Sequence, residues 1–418
     1  MHSIGARGFF YRLIESSFGR GLKAIRDNDV AAESLGLDTT RFKVIAFVLS
    51  AGLAGAAGAL FATLNGFVGP SSFTEEHSLI LLALLIVCGR GTYLGPVIAG
   101  LFLVVIPELM RDFGSYQQWL YSIVLILVIF KMPMGIGGYI ERLLPARKQE
   151  LAIETPVHAE PAVAATPRAT PGELLRLEGV SRAFGGLAAV SDVDLSVTRG
   201  ELIGLIGPNG AGKTTLINLV TGAIKPSAGS VTLNGQRVTG RAMSNVARRG
   251  LIRTFQTPRL FENMTMLENV LIGVDRSVHA PSLMFSQAED RRRRALAVQI
   301  LEEIGLGALK DAKAGNVPFG QRRLLEVARA LACRPEMLML DEPAAGLHSM
   351  EISTLEKELK RICDSGITVV LIEHNIGLVM RACSRVVVMK AGQKLAEGTP
   401  EEVASNPFVI DAYLGRAQ

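Results

Sequence analysis

The sequence predicts an α/β domain preceded by a partial, all-α membrane domain, and three observations carry that prediction. From Val44 to Thr74 there is no charged residue, a run long enough to cross the hydrocarbon core of a bilayer. "ELIGLIGPNGAGKTTLINLVTG" (201–222) sets a glycine-rich loop between an apolar strand and an apolar-faced helix. "EMLMLDEP" (336–343) is a second apolar strand, ending in two carboxylates. A chain of 418 residues has room for two or more domains. Its net charge of +5 is mild and its cations gather beside the apolar runs, which reads as membrane topology and not as nucleic-acid binding. Cys88, Cys333, Cys363 and Cys383 form no CxxC or Cys/His pattern and read as buried or free thiols in a reducing compartment.

The chain opens with seven Lys/Arg in residues 1–43 and no apolar core of a secretory signal. In "GRGLKAIRDNDVAAESLG" (19–36), Phe18, Leu22 and Ile25 recur at i, i+4 and i+7, and Val30, Ala31 and Leu35 form a second short apolar face. Asp27-Asn28-Asp29 supplies capping side chains and Gly36 a stop. Two short amphipathic helices joined by a polar turn are expected. Spans follow at 44–68, 78–107 and 116–133. The middle one is broken by Gly89-Arg90-Gly91, and each half is too short to cross without tilting or thinning the bilayer. It is either a re-entrant hairpin or two short spans, and Arg90 is either an interfacial residue or a mark of a solute path. Residues 1–145 thus form the membrane part. Pro, Ala and Thr dominate 146–172, a flexible linker, and 173–418 is the α/β part.

The loop Gly207-Pro208-Asn209-Gly210-Ala211-Gly212-Lys213-Thr214-Thr215 has the G-x-x-x-x-G-K-T spacing of a phosphate-binding P-loop. Its glycines let backbone N–H groups curl around phosphate oxygens, and the helix that follows adds its dipole. Lys213 is expected to reach the β/γ-phosphates and Thr214 to ligate Mg²⁺. ATP and Mg²⁺ are the expected ligands. Asp341, at a strand's carboxyl end, suits the Mg²⁺ shell; Glu342 suits the polarisation of an attacking water. "RRRR" (291–294) reads as the solvated side of an amphipathic helix. An ATP-binding domain is cytoplasmic, and so by its Lys/Arg content is the N-terminal segment. The number of crossings is then even, in keeping with outer loops (67–76 and 107–115) that carry Glu75, Glu76, Glu108 and Asp112 against Arg111 alone.

With these residues in place, 173–418 resembles the ATPase subunit of an ABC transporter, an α/β P-loop ATPase domain with a helical subdomain. The resemblance implies that Phe184 in "SRAFGG" stacks on adenine and that Gln256 in "IRTFQ" is the Q-loop glutamine, near metal and water. It makes His374 in "LIEHN" the switch histidine at the γ-phosphate, beside Glu342 and Gln256 as catalytic residues. "NVPFGQRR" (316–323) takes the signature position, with Pro318, Phe319, Gly320 and Gln321 acting in trans, and "AAGLH" (344–348) the D-loop. Pro318 stands where the family has a serine, and His348 where it has Asp or Asn; slower hydrolysis is the expectation. Gly320 and Gln321 are expected to open a helix, Arg322–Ala332. One phosphate loop and one signature imply a second ABC ATPase domain from elsewhere.

"FGQRRLLEVARALACRPEMLMLDEPAAGL" and "GTPEEVASNPFVIDAYLG" are similar to the ATPase of branched-chain amino acid uptake systems. "FGRGLKAIRDNDVAAESLGLDTTRFKVIAFVLSAGLAGAAGAL" resembles the cytoplasmic coupling loop and following span of their permease. Residues 19–36 would then be the coupling element, seated in a groove of an ATPase subunit, its apolar side buried and its charges rimming the contact. The family's permease has several more spans before this loop. An internal start at Met1, a truncated gene and a separate chain that supplies those spans are three accounts of this. The implied function is ATP hydrolysis coupled to import of branched-chain or related amino acids, in the inner (plasma) membrane with the ATPase domain cytoplasmic. The implied partners are other permease subunits and a periplasmic or extracytoplasmic solute-binding protein. A non-transporting fusion remnant, and a non-transport ABC ATPase acting on nucleic acid or the ribosome, are the competing readings.

Overall fold

The computed structural model describes residues 13–69, 75–88, 172–276 and 287–414, with single positions between 95 and 136. They fall into two compact units: residues up to Ile45 with those from Ile153 onward, and Ala46–Ala152.

The first unit begins with α1 (Ser17–Asp27) and α2 (Asp29–Ser34). Ser16 caps α1 by accepting from the Gly19 N–H at 3.1 Å. Asn28 ends α1 and caps α2, its Oδ1 accepting from the Ala31 N–H at 2.9 Å. The expected helix–turn–helix is present. Its apolar side (Phe18, Ala24, Ile25, Ala31, Ala32, Leu35) joins Phe42 in one cluster with Phe261, Met264, Ile272, Leu202 and Leu338. The rings of Phe18 and Phe42 stack at 5.3 Å. Residues 13–45, grouped by sequence with the membrane part, therefore share a core with the α/β part.

A 27-residue helix, α3 (Thr39–Asn65), follows; it is apolar and long enough to cross a membrane. In the second unit its side chains are exposed, Phe47, Leu60 and Leu64 among them, as a lipid-facing helix requires. The 14-residue α4 (Glu75–Cys88) is likewise apolar. Arg90, the linker at 146–171 and most positions of the spans at 78–107 and 116–133 lie outside the described residues.

The α/β part begins with an antiparallel layer. Strands β1 (Glu173–Phe184) and β2 (Leu187–Thr198) pair, and β4 (Ala228–Leu233) and β5 (Gln236–Arg237) complete the order β2-β1-β4-β5. The second sheet uses β3 (Leu202–Ile206), β6 (Leu251–Arg253), β7 (Met337–Asp341), β8 (Thr368–Ile372), β9 (Arg385–Lys390) and β10 (Gln393–Gly398), in the order β10-β9-β3-β8-β7-β6. Within it β6, β7, β8, β3 and β9 run parallel. β3, β7 and β8 are buried along their whole length, which explains their continuous apolar sequences.

Helix α5 (Lys213–Val220) follows β3, and α6 (Met243–Arg248) precedes β6. Three further helices, α7 (Met266–Arg276), α8 (Gln287–Glu303) and α9 (Phe319–Ala332), pack through Val270, Leu271, Ala297, Leu301, Leu325 and Ala328 into a helical subdomain. α10 (Ser349–Asp364) and α11 (Ile376–Ala382) flank β8.

Two charge expectations are corrected. Arg20 does not rim the contact: it is 1% exposed, between Asp275 of α7 and Asp290 of α8. Burial works against its charge, but the two carboxylates more than offset this and hold the guanidinium above its ordinary range. The run 291–294 is only half solvated. Arg291 and Arg292 face water, whereas Arg293 pairs with Asp275 at 3.2 Å and Arg294 with Asp290 at 2.7 Å. One helix turn sends successive residues in different directions, so a run of four cations cannot share one face.

Candidate functional site

Strands β3, β8, β7 and β6 are neighbours and parallel, so the loops leaving their carboxyl ends lie side by side, where open α/β sheets bind ligands. Each loop brings one element of the expected site. After β3 come Gly207–Gly212. Gly207 and Gly212 have φ of +151° and +93°, and a Cβ on either would collide with a backbone carbonyl, that of Met389 or of Ala189. Only glycine fits there. Gly212 is the N-cap of α5 and provides no side-chain cap, which leaves the first N–H groups of that helix free for an anion.

Lys213 is 6% exposed and donates from Nζ to the carbonyls of Gly207 (2.6 Å) and Pro208 (3.1 Å). Burial lowers its pKa, opposed by the nearby charges of Glu342 and Asp341. The ammonium is thus held by two neutral carbonyls of the loop itself. Asp341 ends β7 at 3% exposure; burial raises its pKa, and Arg253, 3.6 Å away, opposes the rise. Glu342, the next residue, has φ of +50°. That left-handed backbone turns the carboxylate out of the strand, and such strain collects at functional sites.

The Glu342 carboxylate is held on both oxygens. Gln256 donates from Nε2 to Oε2 at 2.8 Å, and His374 Nε2 lies 2.7 Å from Oε1. Lys213, Gln256, Asp341, Glu342 and His374 are therefore brought to one edge of the sheet. Phe184 ends β1, 45% exposed, with the Arg182 guanidinium 4.9 Å from its ring centroid. Pro318 is the N-cap of α9, and Phe319, Gly320 and Gln321 form its first turn. The helix thus begins three residues before the expected Arg322, at Phe319: Pro318 keeps Val317 out of helical backbone and is itself the extended N-cap. Among the described residues, no hydrogen bond or ion pair joins Phe184 or 318–321 to the Glu342 cluster. The signature packs instead on the D-loop: a Cβ at Gly346 would sit 3.3 Å from the Phe319 ring. His348 is the N-cap of α10, its N–H bound by Glu351 at 2.8 Å.

Three buried side chains that sequence reasoning passed over organise this edge. Arg323 of α9, 1% exposed, donates to the carbonyls of Phe255 (2.6 Å), Gln256 (2.6 Å) and Glu342 (2.9 Å). Glu326, one turn on, accepts from the Phe255 N–H at 3.2 Å and the Arg259 N–H at 3.3 Å. Glu373 accepts from Ala344, His374 and Asn375, tying the end of β8 to the D-loop. For Arg323 and Glu326 the available signal was charge on the buried face of the apolar helix "RLLEVARALA" (323–332); Glu373 carried none.

The residues fit a nucleotide and its metal. The loop is a backbone cradle with no room for a side chain at Gly207 or Gly212, and Thr214 with Asp341 offers the few oxygen donors that Mg²⁺ takes alongside phosphates. Among the described residues no group of three or more His, Cys, Asp or Glu could hold a metal unaided.

Comparison with known proteins agrees. The family model of ABC transporters matches residues 190–345. That of branched-chain amino acid transport system permease components matches 6–132. That of branched-chain amino acid ATP-binding cassette transporters matches 393–418. The branched-chain amino acid transport ATP-binding protein BraF of Pseudomonas aeruginosa is 41% identical over 251 residues, 98% of its own length and 58% of this chain. The chain belongs to the branched-chain amino acid ABC transporter family. LivG of Escherichia coli, a member of that family, is 42% identical over 254 residues, again 98% of its length. A nucleotide-free cassette and an ADP-bound cassette, both from ABC transporters, are covered completely, at 33% and 34% identity with TM-scores of 0.51 and 0.52. As in the family, the chain is an ATPase that binds nucleotide, and it adds a membrane-associated permease segment.

Proposed function

We propose that this chain is the ATP-hydrolysing component of an inner-membrane importer for branched-chain or related amino acids, with its permease segment fused to its ATPase. The observation that carries the reading is the Glu342 carboxylate gripped by Gln256 and His374 beside the phosphate loop. In this reading the N–H groups of Gly207–Thr215 and the Lys213 ammonium hold the phosphates, and Phe184 meets the adenine. Thr214, Asp341 and Gln256 hold Mg²⁺, which would neutralise charge on the phosphate oxygens. Glu342 accepts the proton of the attacking water, and His374 steadies the γ-phosphate. Pro318–Gln321 present the start of α9 to the nucleotide of a second cassette, and the helix dipole there favours the phosphate without a serine hydroxyl. The seat of α1–α2 on the cassette favours a working transporter over a fusion remnant. Closure of two cassettes would move this pair and the spans beyond it, with other permease subunits completing the path and a periplasmic binding protein delivering solute.

The test is uptake of labelled leucine into vesicles that contain the chain with its partner subunits and binding protein. Accumulation that needs internal ATP and is competed by valine or isoleucine is expected. ATP hydrolysis with no uptake of leucine, or of any related amino acid, overturns the reading.

A further inference from the structure

The first helices seat themselves on the α/β part by apolar contact, and an apolar face needs no cation at its centre. Yet Arg20 is there, 1% exposed. Its Nε and Nη2 form a fork on Asp275, at 2.7 and 3.0 Å, and Nη1 reaches Asp290 Oδ1 at 3.0 Å and the Glu15 carbonyl at 2.7 Å. Asp275 and Asp290, on α7 and α8, are 6% and 7% exposed. Arg293 and Arg294 reach the same carboxylates, but their side chains are 12% and 25% exposed and divide themselves among Glu289, Asp275, Asp290 and Glu15. Arg20 is thus the wholly buried cation of the group.

A buried ion pair roughly breaks even against an apolar contact of the same size, whereas removal of one partner is heavily penalised. Such a pair adds little affinity and much discrimination. The geometry points to Arg20 as the residue by which this cassette recognises its permease segment: Asp275 and Asp290 accept a segment with a guanidinium at this point and reject one without it. The seat is filled by the chain's own α1–α2, so the cassette is committed in cis. The equivalent segment of a second permease subunit is left to the second cassette. The inference takes from the proposed function only its view of α1–α2 as the coupling element.

A proximity reporter tests it in the full-length chain. The Asp27 carboxylate accepts from both the backbone and the side-chain nitrogen of Asn263, each at 2.9 Å, so cysteines at these two positions, with the native ones replaced, can be joined by a short bis-maleimide. Wild-type Arg20 should give a fast intrachain link. Arg20→Met, which leaves the two buried carboxylates only the partly exposed Arg293 and Arg294, should slow it by about tenfold or more. The neutral triple Arg20→Met/Asp275→Asn/Asp290→Asn should return to within about threefold of wild type, a recovery that assigns the slowing to the unmatched carboxylates and not to lost packing of the Arg20 side chain. Arg20→Lys, a point charge that cannot fork, should fall between them. ATP-analogue binding verifies folding. If Arg20→Met loses it, Asp275→Asn/Asp290→Asn, which strands the cation instead, makes the same comparison. Wild-type linking in Arg20→Met, or a triple no better than the single, overturns the recognition. A linked dimer in place of the intrachain product overturns docking in cis. Linking that follows Arg20 while leucine uptake ignores it would leave the recognition standing and sink the coupling role.

Discussion

His374 Nε2 lies 2.7 Å from Glu342 Oε1, and these two residues stand at the ends of neighbouring parallel strands, β8 and β7. The contact exists because the Glu342 N–H binds the Ile372 carbonyl at 2.8 Å and the left-handed backbone at Glu342 turns its carboxylate toward the histidine. The sheet register therefore sets the distance between the proposed base and the residue that would face the γ-phosphate.

Glu342→Gln keeps the shape of this contact and removes the proton acceptor. ATP binding should survive, because Lys213 and the loop amides are untouched. Turnover should fall by about 10²-fold or more, the range of a lost general base, and a nucleotide-bound dimer should accumulate. Steady-state hydrolysis within about twofold of wild type would remove Glu342 from that role.

Arg323 supports the same edge from α9. Its three carbonyl contacts bind α9 to the Gln256 loop and to Glu342. In Arg323→Met, kcat should drop about tenfold or more, from misplacement of Gln256 and Glu342, with ATP affinity little changed. A loss of affinity at unchanged kcat would place Arg323 in binding.

Much of this was legible in the sequence, and the reason is periodicity and spacing. Strands buried on both faces read as unbroken apolar runs, so β3 and β7 stood out with the loops that follow them. Gln256 and His374 were named through family resemblance, and their meeting at Glu342 depends on strand order, which no local pattern contains. Arg323, Glu326 and Glu373 escaped because a charged residue defaults to the surface, and only the fold shows which backbone groups would otherwise be stranded. Arg20 escaped for the same reason: its two carboxylates lie more than 250 positions away.

Topology gives the next prediction. A cysteine at Thr39 would be a poor reporter, since Thr39 is 7% exposed; Arg41, with its side chain 81% exposed, serves instead. In intact cells, cysteines at Arg41 and just past Lys148 should both resist an impermeant thiol reagent, while one at Ser72 should react, as Lys/Arg placement requires. Labelling past Lys148 would overturn an even number of crossings.

Cys383 sets a pH dependence. Burial, with Cys363 nearby, pushes its thiol up to about 12. An unfolded cysteine ionises near about 8.5. The folded state thus keeps a proton that the unfolded state releases, and stability should fall as pH rises between those two values. Below them the effect vanishes. Burial raises the Cys333 and Cys363 thiols too, so Cys383→Ala should reduce this alkaline slope in urea titrations without abolishing it, and native Cys383 should resist iodoacetamide at pH about 8 until the chain unfolds. Rapid native alkylation would contradict the burial.

Coupling can be tested apart from recognition, at the apolar side of α1. Ile25 is 7% exposed in the core shared by α1, α2 and the α/β part, and an anchor of this kind contributes about 2 kcal/mol or more when truncated. Aspartate at that position adds the cost of a buried, unpaired charge. Ile25→Asp should therefore loosen the seat of α1–α2 while leaving the phosphate loop intact. The full chain should bind ATP with unchanged affinity, hydrolyse it with less dependence on solute and binding protein, and import little leucine. Lys23→Ala is the control: Lys23 pairs with Glu15 at 3.0 Å with both side chains partly exposed, a contact of about 0–1 kcal/mol. Solute-stimulated hydrolysis that is equal in wild type, Ile25→Asp and Lys23→Ala would mean that the seat does not transmit motion to the membrane.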